Sequence, residues 1–467
     1  MKTQIKKSSK RDLINLVSDL DAEKPPVLIF RANDICSLGI AKAIAAVNFQ
    51  AIWVSYDWAR SESWFSEKSI FYRNVFKIDN PAEKPEKAAE QLEHLGYLLK
   101  KRYHKKILTL FSSDTVQQFF FLNKHKFMRY FDVYGDNTYK SYRTELSNKA
   151  FFFNLLSENL PELCPKTLSM ENEDNVKDIF LSLGRPFILK PAVKDPAQTF
   201  YRLHNGKKAV EISSYSALQK KVHQCRELNI PLVAQERIRF GNIENEVPFY
   251  CYFDRKHDLK IVASGKKLIV QPELYGTATV LQLTHNPFLV KYAKKIGKLL
   301  KWSGPLMIEF MKDSETYQWK VIEINTRPWL FHDFYRQNNL PFIGAAVLDH
   351  YDYQNGTNLL SRLISSQELT YPRVQNDHRI VHIDLKSIVT HICENTKRTS
   401  NYTRKIIEQI LKYGDAITFA YGDIKDLRPI NHIISECCLK YDLEPLLLQS
   451  FIFDCLKSLS PGNFTYE

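Results

Sequence analysis

Apolar and polar positions change their rhythm twice along the chain. Between residues 25 and 140, short continuous apolar runs at 27–30, 51–56 and 107–111 are separated by stretches with helical spacing. Continuous apolar runs are typical of strands that are buried on both faces, and their alternation with helices indicates βαβ units. This pattern predicts a Rossmann-like domain with a parallel sheet, preceded by a basic tail over 1–24.

A second rhythm runs from about residue 141 to 365. Strands of mixed polarity, which suit an antiparallel sheet, are interrupted by amphipathic helices, and this order indicates an α+β domain. A helix over 148–159, with Ser147 as its N-cap, is predicted near the start of this domain. The predicted strands include 187–191, 232–238, 247–253, 260–263, 306–311 and 320–325.

The last stretch, 366–467, is predicted to be mainly helical. Its amphipathic patterns lie at about 385–394, 404–413, 431–441 and 446–458. The fold class predicted for the whole chain therefore combines α/β and α+β parts with a helical C-terminal region.

Composition narrows the ways in which such a chain could hold a phosphate. Glycine accounts for 15 of 467 residues, and neither a G-x-x-x-x-G-K-[ST] loop nor a G-x-G-x-x-G fingerprint occurs. Lysine and arginine number 65 against 52 acidic residues, which gives a formal charge of +13. This excess fits a protein that binds nucleic acid and equally an enzyme whose ligands are anions. A phosphate would have to be held by side chains or metal rather than by a glycine-rich backbone.

Cysteine usage and the length of the apolar runs bear on the compartment. The eight cysteines form no C-x-x-C pair, and most of them stand among apolar residues, as buried thiols in a reducing cytosol do. The N-terminal sequence lacks the apolar core of a secretory signal, and no apolar run approaches the roughly 20 residues that span a bilayer. We therefore expect a cytoplasmic protein that does not insert into membranes.

The most informative stretch is a predicted β-hairpin over 304–329. Two apolar strands flank a polar segment at 313–318, and the midpoint between Glu309 and Glu323 falls inside that segment. We expect the two glutamates opposite each other, with Cβ atoms roughly 5 Å apart, and Asn325 on the same face because strand side chains alternate. Such oxygen ligands suit Mg²⁺. The alternative is that the glutamates face solvent on a half-exposed hairpin.

Arg327 follows Asn325 by two residues and shares its face if the strand continues. The planar fork of donors on an arginine suits a phosphate or a carboxylate. The alternative for Arg327 is a salt bridge back to one of the glutamates.

Several motifs, in their order and spacing, resemble the ATP-grasp superfamily and within it the carboxylate–amine ligase branch. They are SNKAFFFNLL and CPKT within 147–167, PFILKP around Lys190, VAQERI at 233–238, and MIEF followed by VIEINTRPW. The resemblance extends from about Pro25 to Gly356. It implies a Rossmann-like pre-ATP-grasp domain followed by an ATP-grasp domain of two subdomains, with a hinge near 233–240.

The resemblance also implies roles for individual residues. Two lysines, Lys149 and Lys190, would bind the phosphates of ATP. Magnesium would be bound by Glu309, Glu323 and Asn325, and Arg327 would stabilise the transferred phosphoryl group. Of these, Lys190 and Arg327 would take part directly in catalysis. The hinge would bind the adenine through Gln235, Glu236 and Ile238. The ribose would be bound by an acidic residue, Glu244, with Glu246 as the second choice.

Two further segments are less regular. The stretch 264–280 resembles the segment that faces the acceptor substrate, with Lys267, Gly276 and Thr277 as candidates; a solvated basic face is the alternative. The loop after the strand of Lys190 usually contains glycines and closes over the phosphates in the family. Here its sole glycine is Gly206, so we expect the lid to depart from the usual geometry.

The activity implied by the resemblance is an ATP-dependent carboxylate–amine ligase. It would use ATP and one or two Mg²⁺ ions, with Mn²⁺ as a substitute, to form an amide bond through an acyl phosphate. Its partners would be small-molecule or peptide carboxylates and amines rather than nucleic acid, and a homodimer is compatible with the sequence.

The alternative is a non-catalytic ATP-grasp-like protein that binds an anionic polymer such as nucleic acid. The formal charge of +13 favours this alternative. The complete set of two glutamates and an asparagine argues against it, because a site without turnover has no reason to keep them.

Overall fold

A computed structural model of the chain describes residues 10–56, 65–134, 145–170, 176–193, 197–242, 245–271, 276–365, 368–372, 380–384, 387, 416–420 and 428–441. These residues form three β-sheets, of five, four and seven strands. Within the described ranges, no helix is both long enough and apolar enough to cross a lipid bilayer.

The five-stranded sheet is parallel, with strand order β3-β2-β1-β4-β5. Its strands are Val27–Phe30 (β1), Ala51–Tyr56 (β2), Val75–Ile78 (β3), Ile107–Phe111 (β4) and Phe131–Asp132 (β5). The associated helices are Lys10–Ser18, Asp34–Ala46, Pro85–Tyr103, Asp114–Leu122 and Lys124–Phe127, with a 3-10 turn at Phe65–Lys68. Strands β1 and β4 are buried throughout because they are apolar on both faces. The predicted Rossmann-like parallel sheet is confirmed.

Side chains at the carboxyl edge of this sheet start two of the helices. Asn33, just after β1, accepts a hydrogen bond from the backbone N–H of Cys36 at 2.9 Å, and Ser113, just after β4, caps the helix that begins at Asp114. Part of the predicted basic tail is itself folded, because the helix Lys10–Ser18 buries Leu13 in the core of this domain.

The four-stranded sheet is antiparallel, with strand order β6-β9-β7-β8. Its strands are Thr167–Met170 (β6), Phe187–Pro191 (β7), Val210–Ile212 (β8) and Leu232–Glu236 (β9). The helices around it are Lys149–Asn159, Val176–Ser182, Ala197–Leu203 and Tyr215–Glu227, with a 3-10 turn at Pro161–Leu163. The N-cap predicted at Ser147 is wrong: Asn148 has the extended backbone of a cap, and its side chain accepts from the N–H of Ala150 at 2.9 Å.

The seven-stranded sheet has strand order β14-β13-β10-β11-β12-β15-β16. Its strands are Glu246–Phe253 (β10), Leu259–Gln271 (β11), Thr277–Thr284 (β12), Gly304–Lys312 (β13), Trp319–Asn325 (β14), Ile380–Ile383 (β15) and Ala416–Phe419 (β16). The remaining helices are Pro287–Leu299, His332–Gln337, Phe342–Asn355, Leu360–Leu363 and Arg428–Tyr441. All neighbours are antiparallel except β15 and β16, which are parallel.

One face of this sheet packs on the helix Pro287–Leu299. Phe249 and Ile308 point to this face and are completely buried together with Leu289 of the helix. The helix lies close to the sheet at Gly297, where a Cβ would stand 2.2 Å from the ring of Phe253. Because strand side chains alternate, the neighbouring residues of β10, β13 and β14 point to the opposite face, on which the candidate site lies.

The C-terminal region differs from the predicted helical arrangement in its described part. The short strands β15 and β16 extend the seven-stranded sheet, and the helix Arg428–Tyr441 matches the pattern predicted at 431–441. The helices predicted at 404–413 and 446–458 lie outside the described residues, as does the one at 385–394 apart from Ser387.

Candidate active site

The hairpin of β13 and β14 places the two predicted glutamates opposite each other. Glu309 pairs with Glu323, and Asn325 follows on the same face, opposite Met307. From the turn outward, Phe310 pairs with Val321, so that an unbroken ladder would place Ile322 opposite Glu309. A bulge between Glu309 and Phe310 shifts the register by one residue and brings Glu323 into that place. The predicted opposition is confirmed, and it depends on this bulge.

The two carboxylates do not lie on a solvated face. Glu309 is 9% exposed and Asn325 is 6% exposed, and the side chain of Glu323 is 22% exposed. The alternative, in which the glutamates face solvent on a half-exposed hairpin, is therefore wrong for Glu309. Buried carboxylates need compensating positive charge, and the neighbouring strands and the smaller sheet supply part of it.

Lys267 of β11 lies between two carboxylates. Its Nζ is 2.5 Å from Glu246 Oε1 and 3.1 Å from Glu309 Oε2, and its side chain is 8% exposed. Burial would lower the pKa of Lys267, but the charges of Glu309 and Glu246 outweigh burial and raise that pKa above its ordinary value. Lys267, predicted to face the acceptor substrate, is therefore a charged member of a cluster that also contains Glu246, Glu309 and Glu323.

Two lysines approach the carboxylates from the side of the four-stranded sheet. Lys149 begins the helix Lys149–Asn159, its N–H donates to Ala192 O at 2.7 Å, and its Nζ is 3.8 Å from Glu323 Oε1. Lys190 of β7 donates to Gln235 Oε1 at 2.8 Å. Burial and then the charge of Lys149 lower the pKa of Lys190 to about 8. The structure thus brings the predicted phosphate-binding lysines next to the predicted metal ligands.

The predicted hinge is joined to both neighbouring elements. Gln235 is 1% exposed and its Nε2 donates to Thr167 Oγ1 at 2.8 Å, so its side chain fixes Lys190 rather than facing a ligand. The N–H of Glu236 donates to Lys166 O at 2.8 Å, and Ile238 is 9% exposed. Glu244, predicted to contact the ribose, lies outside the described residues.

The hinge also contacts the turn of the glutamate hairpin. Asp313 accepts hydrogen bonds from the backbone of Glu315 at 3.0 Å and Thr316 at 2.8 Å, and from the backbone and Nε of Arg239 at 3.0 and 3.2 Å. Burial would raise the pKa of Asp313, but these hydrogen bonds, led by those from Thr316 and Arg239, hold it below its usual range. The turn that sets the hairpin register is therefore fixed to the segment predicted to bind adenine.

Arg327 leaves β14 and pairs with an acidic residue of the parallel-sheet domain. Its Nε donates to Asp114 Oδ2 at 2.8 Å, and its Nη1 donates to Pro328 O at 2.9 Å. Burial would lower the pKa of Arg327, and the charge of Asp114 more than restores it. The sequence alternative, an ion pair with a glutamate of the hairpin, is not the contact observed. The sequence predicts no role for Asp114, although Asp114 stands three residues after the end of the buried strand β4, next to the helix cap Ser113.

The segment after Lys190 forms a helix, Ala197–Leu203, where the resemblance implied a lid. Burial raises the pKa of the Tyr201 hydroxyl, the charges of Glu323 and Asp114 raise it further, and Arg327 opposes them. Tyr201 is therefore within electrostatic range of all three charged groups.

Two candidates are not brought to the cluster. Thr277 pairs with Gln271 at the start of β12, whereas Lys267 pairs with Leu281. Four residues of strand separate Thr277 from Leu281, or about 13 Å. Gly276, which precedes Thr277, is one residue further along the chain from Leu281, so Lys267 alone of the three predicted substrate residues lies among the carboxylates.

The donor atoms of the cluster match a hard cation and a phosphate. Glu309, Glu323 and Asn325 offer carboxylate and amide oxygens, the ligand type that Mg²⁺ prefers, and Lys149 and Lys190 offer ammonium groups. In the part of the chain that the structure describes, no group of three or more His, Cys, Asp and Glu side chains is placed to hold a metal ion. The hairpin offers two carboxylates, so the amide oxygen of Asn325 would have to supply the third protein ligand.

The three sheets, and the charged residues where the four-stranded and seven-stranded sheets meet, identify the architecture: the chain has the ATP-grasp fold. Two solved ADP complexes are similar to it, each with a TM-score of 0.55 and with 80% of this chain and 86% of the other chain covered. One is the N5-carboxyaminoimidazole synthetase of Staphylococcus aureus, 13% identical, and the other is an N5-carboxyaminoimidazole ribonucleotide synthetase, 11% identical.

A third similar structure is the biotin carboxylase domain dimer of the Hydrogenobacter thermophilus 2-oxoglutarate carboxylase, in complex with MgADP, ADP and bicarbonate. It has a TM-score of 0.51 and 13% identity, and the alignment covers 74% of this chain and 71% of that one. At these identities the likeness establishes the fold. No protein-family model matches the sequence, and no curated protein matches it either.

Proposed function

We propose that this chain is an ATP- and Mg²⁺-dependent ligase that joins a carboxylate to an amine through an acyl phosphate. The observation that carries the proposal is the pairing of Glu309 with Glu323 across the hairpin, with Lys149, the first residue of the helix Lys149–Asn159, 3.8 Å from Glu323. Carboxylates for a cation and ammonium groups for phosphates then lie within one cluster. An ATP-grasp fold, solved elsewhere with ADP and with MgADP, supports the proposal.

In the proposed reaction, an oxygen of the substrate carboxylate attacks the γ-phosphorus of ATP, and the bond to the bridging oxygen breaks to release ADP. The amine then attacks the acyl carbon of the acyl phosphate, inorganic phosphate leaves, and the amine loses its proton to water. No protein nucleophile is needed, because such chemistry depends on positioning and charge stabilisation.

Each charged residue has a place in this scheme. Lys149 at the start of its helix and Lys190 on β7 would bind the phosphates of ATP, and Arg327 would stabilise the phosphoryl group during transfer. Glu309, Glu323 and Asn325 would hold Mg²⁺, which would supply positive charge to offset the negative charge of the phosphates. The backbone around Glu236 and Ile238 would bind the adenine.

Trapping of the acyl phosphate tests this proposal. The protein is incubated with ATP, Mg²⁺, pooled carboxylic acids and hydroxylamine, which converts an acyl phosphate into a stable hydroxamate. We expect hydroxamate and ADP in equal amounts, lost in Glu323→Ala and kept in Glu162→Ala, which removes an exposed ion pair with Lys295. Mg²⁺-dependent release of ADP without hydroxamate from any carboxylate class would count against a ligase.

One observation favours the second candidate function, binding of an anionic polymer. The helix Pro287–Leu299 contains no acidic residue and exposes lysines on the side opposite its buried Leu289. These lysines are Lys291, Lys294, Lys295 and Lys298. Under this alternative, Lys294→Glu with Lys298→Glu would abolish salt-sensitive binding of single-stranded nucleic acid. Under the ligase proposal the double variant retains hydroxamate formation.

A further inference from the structure

The segment that follows β14 is held by the parallel-sheet domain on both sides of its arginine. Gln117 Nε2 and Tyr134 Oη donate to Thr326 O at 3.4 and 3.1 Å. On the other side, Cys36 Sγ donates to Pro328 O at 3.6 Å. A backbone carbonyl before the arginine and another after it are therefore both fixed by a domain that carries none of the carboxylates or lysines of the cluster.

Asp114 extends this contact to the guanidinium itself. It lies in the first turn of the helix Asp114–Leu122, at the carboxyl edge of the parallel sheet. Its Oδ2 accepts from Arg327 Nε at 2.8 Å, and the two side chains are 11% and 18% exposed. Hydrogen bonds between ionised and largely buried partners are among the strongest in proteins. With Nη1 also bonded to Pro328 O, the plane of the guanidinium is fixed.

A second carboxylate acts on the same arginine at longer range. The charge of Glu323 contributes to the raised pKa of Arg327, after the larger contribution of Asp114, and Glu323 is one of the three residues proposed to hold Mg²⁺. The direct contact is with Asp114. Asp114 is therefore the carboxylate that orients Arg327.

From these contacts we infer that Asp114 is a positioning residue for phosphoryl transfer. It holds the guanidinium of Arg327 in the orientation in which this group stabilises the phosphoryl group between ATP and the carboxylate. Asp114 acts through Arg327 and does not itself touch the nucleotide. The inference rests on the proposed function.

A mimic of the transferred group tests the inference without knowledge of the carboxylate or the amine. Aluminium fluoride, added together with Mg²⁺ and ADP, mimics the phosphoryl group in the transition state of transfer. Groups that stabilise this transition state therefore strengthen the binding of aluminium fluoride. The affinity for ADP and Mg²⁺ is measured with and without aluminium fluoride. We expect Asp114→Asn to reduce the gain from aluminium fluoride about tenfold, because a misplaced group loses much of its effect, and to leave the affinity for ADP with Mg²⁺ within about twofold.

Two further variants distinguish orientation of Arg327 from general support of the fold. In the background of Arg327→Met, Asp114→Asn should reduce the gain no further, because its effect passes through the arginine. Asp114→Glu restores the charge one methylene further out and should recover part of the gain, which also keeps the test decisive if Asp114→Asn folds poorly.

The matched control is a second ion pair between the same two regions. Lys42 Nζ is 3.0 Å from Asp333 Oδ2, with side chains 2% and 15% exposed, and joins the helix Asp34–Ala46 to the helix His332–Gln337. Lys42→Met removes a comparably buried contact away from the cluster, and it should leave the gain from aluminium fluoride unchanged.

The outcomes separate the inference from the proposed function. Equal losses from Asp114→Asn in the wild-type and Arg327→Met backgrounds, or a wild-type protein that gains nothing from aluminium fluoride, would overturn the inference. A wild-type protein that binds neither ADP nor ADP with Mg²⁺ would overturn the proposed function itself.

Discussion

The four-stranded and the seven-stranded sheets differ in the sign of the charge that they bring to the site. The seven-stranded sheet contributes Glu309, Glu323 and Glu246, whereas the four-stranded sheet and the helix before it contribute Lys190 and Lys149. Each sheet is otherwise apolar toward its own core. The difference divides the site into an anionic half and a cationic half. Under the proposed function, the anionic half would hold Mg²⁺ and the cationic half would bind the phosphates of ATP.

The largest expected effect comes from the exception to this division, the ammonium group of Lys267 within the acidic sheet. Lys267→Met leaves Glu309 and Glu246 without their shared partner, and removal of one member of a buried ion pair costs about 3 kcal/mol or more. We expect the free energy of unfolding, measured by urea denaturation, to fall by about that amount. The exposed Lys294→Met should change it by less than about 0.5 kcal/mol. An unchanged free energy of unfolding for Lys267→Met would show that Glu309 and Glu246 need no ammonium group between them.

The second prediction concerns a residue of the anionic half, Glu323. In Glu323→Ala, the gain in ADP affinity on addition of Mg²⁺ should fall about 100-fold, since even residues that only support a metal ligand cost 10- to 100-fold when changed. The affinity in EDTA should be kept, because Lys149 loses a competing carboxylate. Calorimetric titration with and without Mg²⁺ measures both. Equal losses in Mg²⁺ and in EDTA would mean that Glu323 supports the fold instead.

The third prediction concerns a residue of the cationic half, Lys190. Lys190→Met should weaken ADP binding about tenfold in Mg²⁺ and in EDTA alike, because an ammonium–phosphate contact does not require the metal. Lys220→Met, on the exposed side of the helix Tyr215–Glu227, is the matched control. A loss confined to the Mg²⁺ titration would contradict the division of the site.

The smallest effect sharpens the comparison through pH. The pKa of Lys190 is lowered to about 8, so its ammonium form predominates below that pH and is lost as pH rises through it. ADP affinity in EDTA should therefore fall severalfold between about pH 7 and pH 9, and binding above pH 8 should take up a proton. Lys190→Arg, which stays charged, should remove most of this fall. A wild-type affinity that is constant over this range would be evidence against Lys190 as a phosphate ligand.

The sequence predicted the acidic half of the site more completely than its surroundings. Glu309, Glu323 and Asn325 lie on strands joined by a short turn, so spacing alone brought them together. The prediction nevertheless depended on a bulge beside Glu309 that no residue pattern announces, and an unbroken ladder would have paired Glu309 with Ile322.

Contacts between distant segments were not predictable from spacing. Asp114 and Arg327 are 213 residues apart, and their ion pair requires the carboxyl edge of the parallel sheet to dock against the exit of β14. Lys267 likewise meets Glu309 across an intervening strand. The resemblance places Thr277 and Lys267 in one segment, 264–280, but the antiparallel pairing of β11 with β12 places Leu281 opposite Lys267 instead. Tertiary pairing decided each of these cases.

The most direct test of the divided site is the position of a manganese ion in crystals grown with Mn²⁺ and ADP, located by its anomalous scattering. The proposed function predicts a peak within bonding distance of Glu309, Glu323 and Asn325, with the ADP phosphates on the side of Lys149 and Lys190. A manganese ion away from those three residues, or ADP phosphates remote from both lysines, would contradict it.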